Sequence, residues 1–342
     1  MKQFVPSFAL TVALAACAPA GPRDAGNTGG SGGSDGSVGS GGGSGGHGGG
    51  GGRATGGGGG TGDSAAGGMC AGPGSGASGC ATGAQYIYLV DAMNHFWRYN
   101  PALAAGQRAT DLGALRCPIA GQGPNGLGGL PPAAPFSMGV DRSAVAWVLY
   151  TDGSLFRVDI NNNLACTATT FAVGQSGFDL FGMGFSADQP MSTSETLFIG
   201  GGTDPAFGLA QFGKIAFPTL TVAGIGMVSS GWPELTGTGD AQLWGFFPSD
   251  DAGVTAPRVA QLDKTTGQDT GAPFTMSPLM GTPTAWAFGF WCDSFYVFLQ
   301  KDIETTTTVY QVKRQGGAET TFDMLNSTIV GAGVSTCAPV IQ

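Results

Sequence analysis

Five short segments built around a glycine recur through this chain, and their spacing limits the fold more than any other feature. They are Phe136-Ser137-Met138-Gly139-Val140-Asp141, Phe181-Gly182-Met183-Gly184-Phe185, Leu235-Thr236-Gly237-Thr238, Trp286-Ala287-Phe288-Gly289-Phe290 and Val330-Gly331-Ala332-Gly333-Val334. Their central glycines, Gly139, Gly184, Gly237, Gly289 and Gly333, stand 45, 53, 52 and 44 residues apart. A strand repeat of that period is the signature of propeller blades.

A bulkier strand follows each of the first four segments: Ala146–Tyr150, Thr196–Ile199, Gln242–Phe246 and Ser294–Phe298. A third then alternates inward and outward residues, at Leu155–Asp159, Phe212–Ile215, Val259–Asp263 and Val309–Val312. Turn residues such as Thr151-Asp152-Gly153-Ser154 separate the two, as hairpins require. The first part of the repeat region carries strands two and three of a blade, Tyr86–Val90 and Phe96–Tyr99, without a strand one. The unmatched strand one is Val330–Val334, at the other end of the chain. Closing a ring with strands from both ends pairs edges that would otherwise be exposed. The expectation is an all-β, five-bladed propeller over residues 85–342; the alternative is a pair of tandem β-sandwiches.

The N-terminal portion has a different character. Met1-Lys2-Gln3 precedes an apolar run from Phe4 to Leu14, too short to span a bilayer as a lasting helix. The run ends in Leu14-Ala15-Ala16-Cys17, which resembles the bacterial lipobox. That resemblance implies a signal peptide over residues 1–16, removed before Cys17, and acyl chains on Cys17 that anchor the protein in a membrane. Two or three chains bury enough methylenes for stable anchoring, where one does not. Ala18 rather than Asp follows the cysteine, which points to the outer membrane.

Residues 17–84 then read as a lipidated tether rich in Gly and Ser. Of the 64 glycines 31 crowd into this stretch, with almost no large apolar side chain to offset the entropy of ordering. About 50 such residues have an r.m.s. reach of roughly 40 Å. The match of Gly29-Gly30-Ser31-Gly32-Gly33 to the nucleophile-elbow pattern has no strand before it and no helix after it, so it is linker.

Six cysteines remain beyond Cys17, an even number suited to disulfides in an oxidising compartment: Cys70, Cys80, Cys117, Cys166, Cys292 and Cys337. Cys117 and Cys166 follow third strands of consecutive blades, and Cys292 and Cys337 follow glycine-centred strands. The expected pairs are therefore Cys117–Cys166 and Cys292–Cys337, leaving a local loop Cys70–Cys80.

The folded part is similar to a group of myxobacterial propeller-like lipoproteins that have no established activity. The likeness rests on Pro135-Phe136-Ser137-Met138, Gly182-Met183-Gly184-Phe185, Pro233–Asp240 and Ile329–Pro339. It implies class and location, and carries over no catalytic residue.

Little in the sequence points to chemistry. Fourteen basic against 23 acidic residues, a formal net charge of −9, argue against nucleic acid as a partner and against electrostatic attraction to anionic lipid. The two histidines, His47 and His95, supply neither a zinc-protease motif nor a triad, and His95 sits in a hairpin turn. Asp159-Ile160-Asn161-Asn162-Asn163 starts like a calcium loop, but Leu164 stands at the glycine position and Thr170 at the bidentate glutamate. The reading names no catalytic residue, metal or cofactor. Asp141, Asp188 and Asp240, at strand-one ends, and Trp232, in a loop, are the candidates for touching a ligand; turn capping is the ordinary role of such aspartates. The function expected is a lipid-anchored extracytoplasmic binding or interaction module at the cell envelope, whose partner is an envelope protein or glycan. The alternatives are a polysaccharide hydrolase or lyase with axial carboxylates, and a structural envelope component.

Overall fold

A computed structural model describes residues 79–118, 133–203, 210–229, 231–248, 256–315 and 317–341. The lipobox, Cys17, Cys70 and the chain as far as residue 78 lie outside the described residues.

The described chain forms five four-stranded antiparallel sheets, a five-bladed propeller. The first blade holds β4 (Pro135–Val140), β5 (Val145–Tyr150), β6 (Leu155–Asp159) and β7 (Ala165–Ala168). The second holds β8 (Leu180–Ala187), β9 (Glu195–Gly202), β10 (Gln211–Ala216) and β11 (Thr221–Met227). The third holds β12 (Glu234–Gly237), β13 (Leu243–Phe247), β14 (Arg258–Leu262) and β15 (Phe274–Thr275). The fourth holds β16 (Pro283–Trp291), β17 (Ser294–Lys301), β18 (Thr307–Lys313) and β19 (Glu319–Leu325). The closing blade takes its inner strand, β20 (Ile329–Val334), from the C-terminal end. Its other strands, β1 (Ile87–Asp91), β2 (His95–Tyr99) and β3 (Ala109–Ala114), come from the N-terminal side. Each glycine-centred segment is thus an inner strand, and the closure expected from the sequence is present. β1 and β20 pair antiparallel, with Ile87 opposite Val334 and Leu89 opposite Ala332.

The inner strands β4, β8, β12, β16 and β20 touch in that order and return to β4, which makes the ring. Their glycines recur because neighbouring blades converge at the axis. A Cβ on Gly184 would stand 2.7 Å from the Leu235 carbonyl oxygen of the next blade. One on Gly333 would stand 2.7 Å from Val140 Cγ2. Glycine is used here for close approach of backbones.

Five large hydrophobic clusters lie one at each junction between blades. Ile87, Tyr99, Phe298 and Val309 join the closing blade to the fourth. Tyr88, Phe96, Val148 and Phe156 join it to the first. Trp147, Leu149, Phe181 and Ile199 join first to second. Phe198, Phe212, Leu243 and Phe247 join second to third, and Trp244, Phe246, Phe288 and Phe295 join third to fourth. The core is therefore cyclic, and no blade buries its faces without both neighbours.

Two corrections concern the ends. Cys80 is bonded to Cys337, not to Cys70, and Cys337 is not bonded to Cys292. Cys292 is itself disulfide-bonded. The pair Cys117–Cys166 is present, joining the end of β3 to β7, the outer strands of adjacent blades. Just before β1, Ala84 is fully buried with Ala144 and Cys337. The physical reason is common to both. β1 and β20 are antiparallel neighbours, so the chain just before β1 and just after β20 meet at one end of the closing blade. The Cys80–Cys337 bridge stands where the other blades have a hairpin turn between inner and second strands.

Candidate functional site

The turns joining inner to second strands gather on one face of the ring, here called the hairpin face. Asp141 closes the β4–β5 turn. Its Oδ1 accepts from the Ser143 and Val145 amides at 2.8 and 3.1 Å, and its Oδ2 accepts from Trp147 Nε1 at 3.1 Å. Asp91, on the opposite face, does the same for the β1–β2 turn with Met93, His95 and Trp97 Nε1. The shared spacing, an aspartate six residues before a tryptophan, is a hairpin clasp. Asp188 accepts from Thr196 Oγ1 at 2.7 Å and from Ser194 Oγ. Burial works to raise its pKa, but the two hydroxyls together with the charges of Lys264 and Lys214 outweigh it and hold the carboxyl below its ordinary value. Asp240 pairs with Arg314 at 2.8 Å.

The structure thus places Asp141, Asp188 and Asp240 on one face, at the edges of three successive blades, each engaged in turn or ion-pair contacts. It does not join Trp232 to them. Trp232 lies in the β11–β12 connection on the opposite face, half-buried against the cluster of Phe198, Phe212 and Leu235, with its ring 3.5 Å from where a Gly202 Cβ would stand. His95 bonds Asp111 at 2.9 Å on the exposed part of the closing blade; that hydrogen bond raises its pKa. In the 159–163 turn, Asn161 donates to the Thr82 carbonyl at 2.9 Å. Among the described residues no three His, Cys, Asp or Glu side chains gather closely enough to hold a metal ion.

The C-terminal tail after β20 lies across the hairpin face and touches every other blade. The Cys292 amide donates to the Pro339 carbonyl at 2.8 Å. Thr336 Oγ1 accepts from Arg142 Nη1 at 3.0 Å and donates to Glu195 Oε2 at 2.7 Å. A Cβ on Gly239 would stand 2.6 Å from the Thr336 carbonyl oxygen. The tail therefore covers the axis on this face. Within the axis, Ser137 Oγ donates to Glu234 Oε2 at 2.9 Å, and the Phe290 amide donates to Thr236 Oγ1 at 3.2 Å.

Beside the tail, between the first and second blades, is a cleft of about 260 Å³ lined by Asp141, Arg142, Ser143, Phe185, Thr193, Glu195, Phe217 and Gly79. Arg142 is 7% exposed and donates from Nη2 to Cys80 Sγ at 3.2 Å. Its backbone amide donates to Glu195 Oε1 at 2.8 Å. Burial pushes the Glu195 carboxyl up to about 7, against the Thr336 hydroxyl and Arg142 amide, which act to lower it. Phe217, in the β10–β11 turn, is 41% exposed; Trp147 meets its ring edge-on at 4.7 Å and Phe185 stacks on it at 5.9 Å. A broader cleft of about 470 Å³ opens between β3 and β7, beside the Cys117–Cys166 bridge, with Arg116 as its charged lining residue.

Sequence reasoning missed Arg142, Glu195 and Phe217. The usable signal was positional: all three lie in or next to turns of the face that carries Asp141 and Asp188.

No protein-family profile and no curated protein matches the chain. Among solved structures it is similar to hydrazine synthase of Kuenenia stuttgartiensis, at 13% identity and a TM-score of 0.39, over 72% of this chain and 68% of that one. It is also similar to a chain of the mitotic checkpoint complex, at 12% identity and a TM-score of 0.32, over 71% of this chain and 61% of that one. Likeness at that level assigns no activity and no ligand.

Proposed function

We propose that this chain is a lipid-anchored extracytoplasmic binding module, a rigid platform held off a membrane by a long tether. The observation that carries the reading is the ring locked at its ends. The Cys80–Cys337 bridge and the β1–β20 pairing fix the two ends of the fold together, and the tail covers the axis. Such a ring presents turns in fixed geometry, the arrangement in which scaffolds carry recognition surfaces. Location is supported by disulfides, which persist in oxidising compartments. The anchor is supported by Leu14-Ala15-Ala16-Cys17, and outer-membrane residence by Ala18.

Two measurements test this. Cys17→Ser is expected to accumulate uncleaved precursor and to lose detergent partitioning; a wild-type protein found wholly in the aqueous phase overturns the anchor. Crosslinking in intact envelope, followed by recovery of the chain, is expected to yield one reproducible adduct, protein or glycan. Recovery of the chain alone overturns the binding role in favour of a structural one.

One observation favours a second reading, a glycoside hydrolase. Asp141 and Glu195 line the same cleft, and Glu195 has the raised pKa of a general acid. It stands second because Asp141 already holds three donors, and release of either oxygen opens its turn or frees Trp147. Reducing ends released from envelope polysaccharide, and abolished by Glu195→Gln, would reverse the order.

A further inference from the structure

We propose that the cleft between the first and second blades binds a neutral saccharide, one sugar ring resting on Phe217 with its hydroxyls taken by Ser143, Thr193 and Glu195. The proposal rests on the reading of the chain as a binding module and names its site.

Phe217 is the starting point. Its ring is largely open to solvent on one side, while Trp147 and Phe185 brace it from behind. A braced aromatic offers contact area at little further cost in side-chain entropy. Around it the lining is polar: two exposed hydroxyl residues, Ser143 and Thr193, and the carboxyls of Asp141 and Glu195. An apolar ligand would strip water from these groups and give nothing back.

Charge then decides the ligand class. The Arg142 guanidinium is turned to Thr336 and Cys80, so an anion finds no cation presented to it. Asp141 carries three donors on its two oxygens and Glu195 one donor on each, so a cation finds neither carboxylate bare, while Glu195 keeps room for one further hydroxyl. Glu195 is held by the Arg142 amide and Thr336, and near neutral pH it exists in both protonation forms, able to accept or donate. Hydroxyls, which both donate and accept, suit such a wall, and a sugar ring adds an apolar face for Phe217. At about 260 Å³ the cleft takes a single ring, leaving the rest of a glycan outside.

The site is also prepared in advance. Its walls come from the β4–β5 and β8–β9 turns, the β10–β11 turn and the segment at Gly79, and the tail and disulfide behind them hold Arg142 and Glu195 in place. Groups fixed before binding lose little freedom on binding.

The test uses the full-length chain carrying Cys17→Ser, with D-glucose, D-galactose, D-mannose and N-acetyl-D-glucosamine as probes and choline as the cationic control. Saturation-transfer NMR is expected to reach the ring protons of at least one sugar and not choline. Phe217→Leu, which keeps bulk and removes the ring, is expected to weaken that sugar about tenfold, equivalent to about 1.4 kcal/mol. Thr193→Ala, at an exposed position, is expected to weaken it about threefold, equivalent to about 0.7 kcal/mol, without altering the melting curve. Transfer to no sugar, binding indifferent to both variants, or preference for choline each overturns the proposal. An envelope adduct found alongside any of these leaves the binding module standing and removes only this site and ligand class.

Discussion

Ser137 Oγ donates to Glu234 Oε2 at 2.9 Å, and the two residues belong to inner strands that are not neighbours in the ring. Ser137 is on β4 and Glu234 on β12, with β8 between them, so the bond reaches across the axis. Glu234 is 1% exposed, a carboxyl buried in a glycine-rich ring whose other buried polar side chains are hydroxyls such as those of Ser137, Ser186 and Thr236. Burying it demands hydrogen-bond partners, and the bond from Ser137 is one of them.

Glu234→Ala is expected to lower stability by about 2–3 kcal/mol, because the Ser137 hydroxyl is left buried with its acceptor gone and a void opens on the axis. Glu234→Gln keeps an acceptor and is expected to cost less. Urea unfolding of the two variants checks this; equal midpoints would show that the carboxyl does not hold the axis.

The two described disulfides close loops of very different length. Cys80–Cys337 spans 257 residues and Cys117–Cys166 spans 49. On the chain-entropy argument the first stabilises by about 1.5 kcal/mol more than the second. Cys80→Ser with Cys337→Ser should therefore lower the denaturation midpoint more than Cys117→Ser with Cys166→Ser. Non-reducing peptide mapping is expected to recover a linked pair of peptides holding Cys80 and Cys337.

Glu195 sets a pH dependence whose sign follows from its shift. Its pKa rises from 4.5 unfolded to about 7 folded, so between those values the folded state binds more protons. Stability accordingly falls as pH rises through that window, by on the order of 2 kcal/mol, and stays low above it. Glu195→Gln is expected to remove this slope. Melting temperatures between pH 4.5 and 7.5 decide the matter: a slope unchanged in the variant assigns it elsewhere.

Truncation after Leu325 removes β20 and with it the inner strand of the closing blade. The loss uncovers β1 and strips Ile329, Val330, Ala332 and Val334 from two clusters at once. The truncated chain is expected to lose its cooperative melting transition, whereas deletion of residues 18–68 should leave the Tm within a few degrees. A truncation that melts like the intact chain would contradict the cyclic core.

How legible this was varied with burial. The inner strands were readable because close approach at the axis demands glycine at a fixed interval, as at Gly184 against Leu235 and Gly333 against Val140. Second and third strands were readable from apolar runs such as Val145–Tyr150, buried throughout. The outermost strands were not. Ala165–Ala168, Phe274–Thr275 and Glu319–Leu325 are short or polar and carry no burial pattern, being held by backbone pairing to one neighbour only. The Cys117–Cys166 pair was accessible because the two cysteines occupy comparable places in adjacent blades. Cys80 was misread with the tether, since six residues without apolar periodicity separate it from β1. The three aspartates were correctly placed at inner-strand ends, but Arg142, Glu195 and Phe217 come together only through tertiary structure, from three separate turns.

The bridge that replaces a hairpin in the closing blade also decides how the domain answers a mechanical load. A pull applied at Gly79 reaches Cys80 before it reaches β1, and the disulfide shares it at once with Cys337. The tension then enters β1 and β20 from the same end, so the pair is drawn as a unit and not unzipped one hydrogen bond at a time from Ile87. Reduced, the same domain would receive the whole force on the first residues of β1.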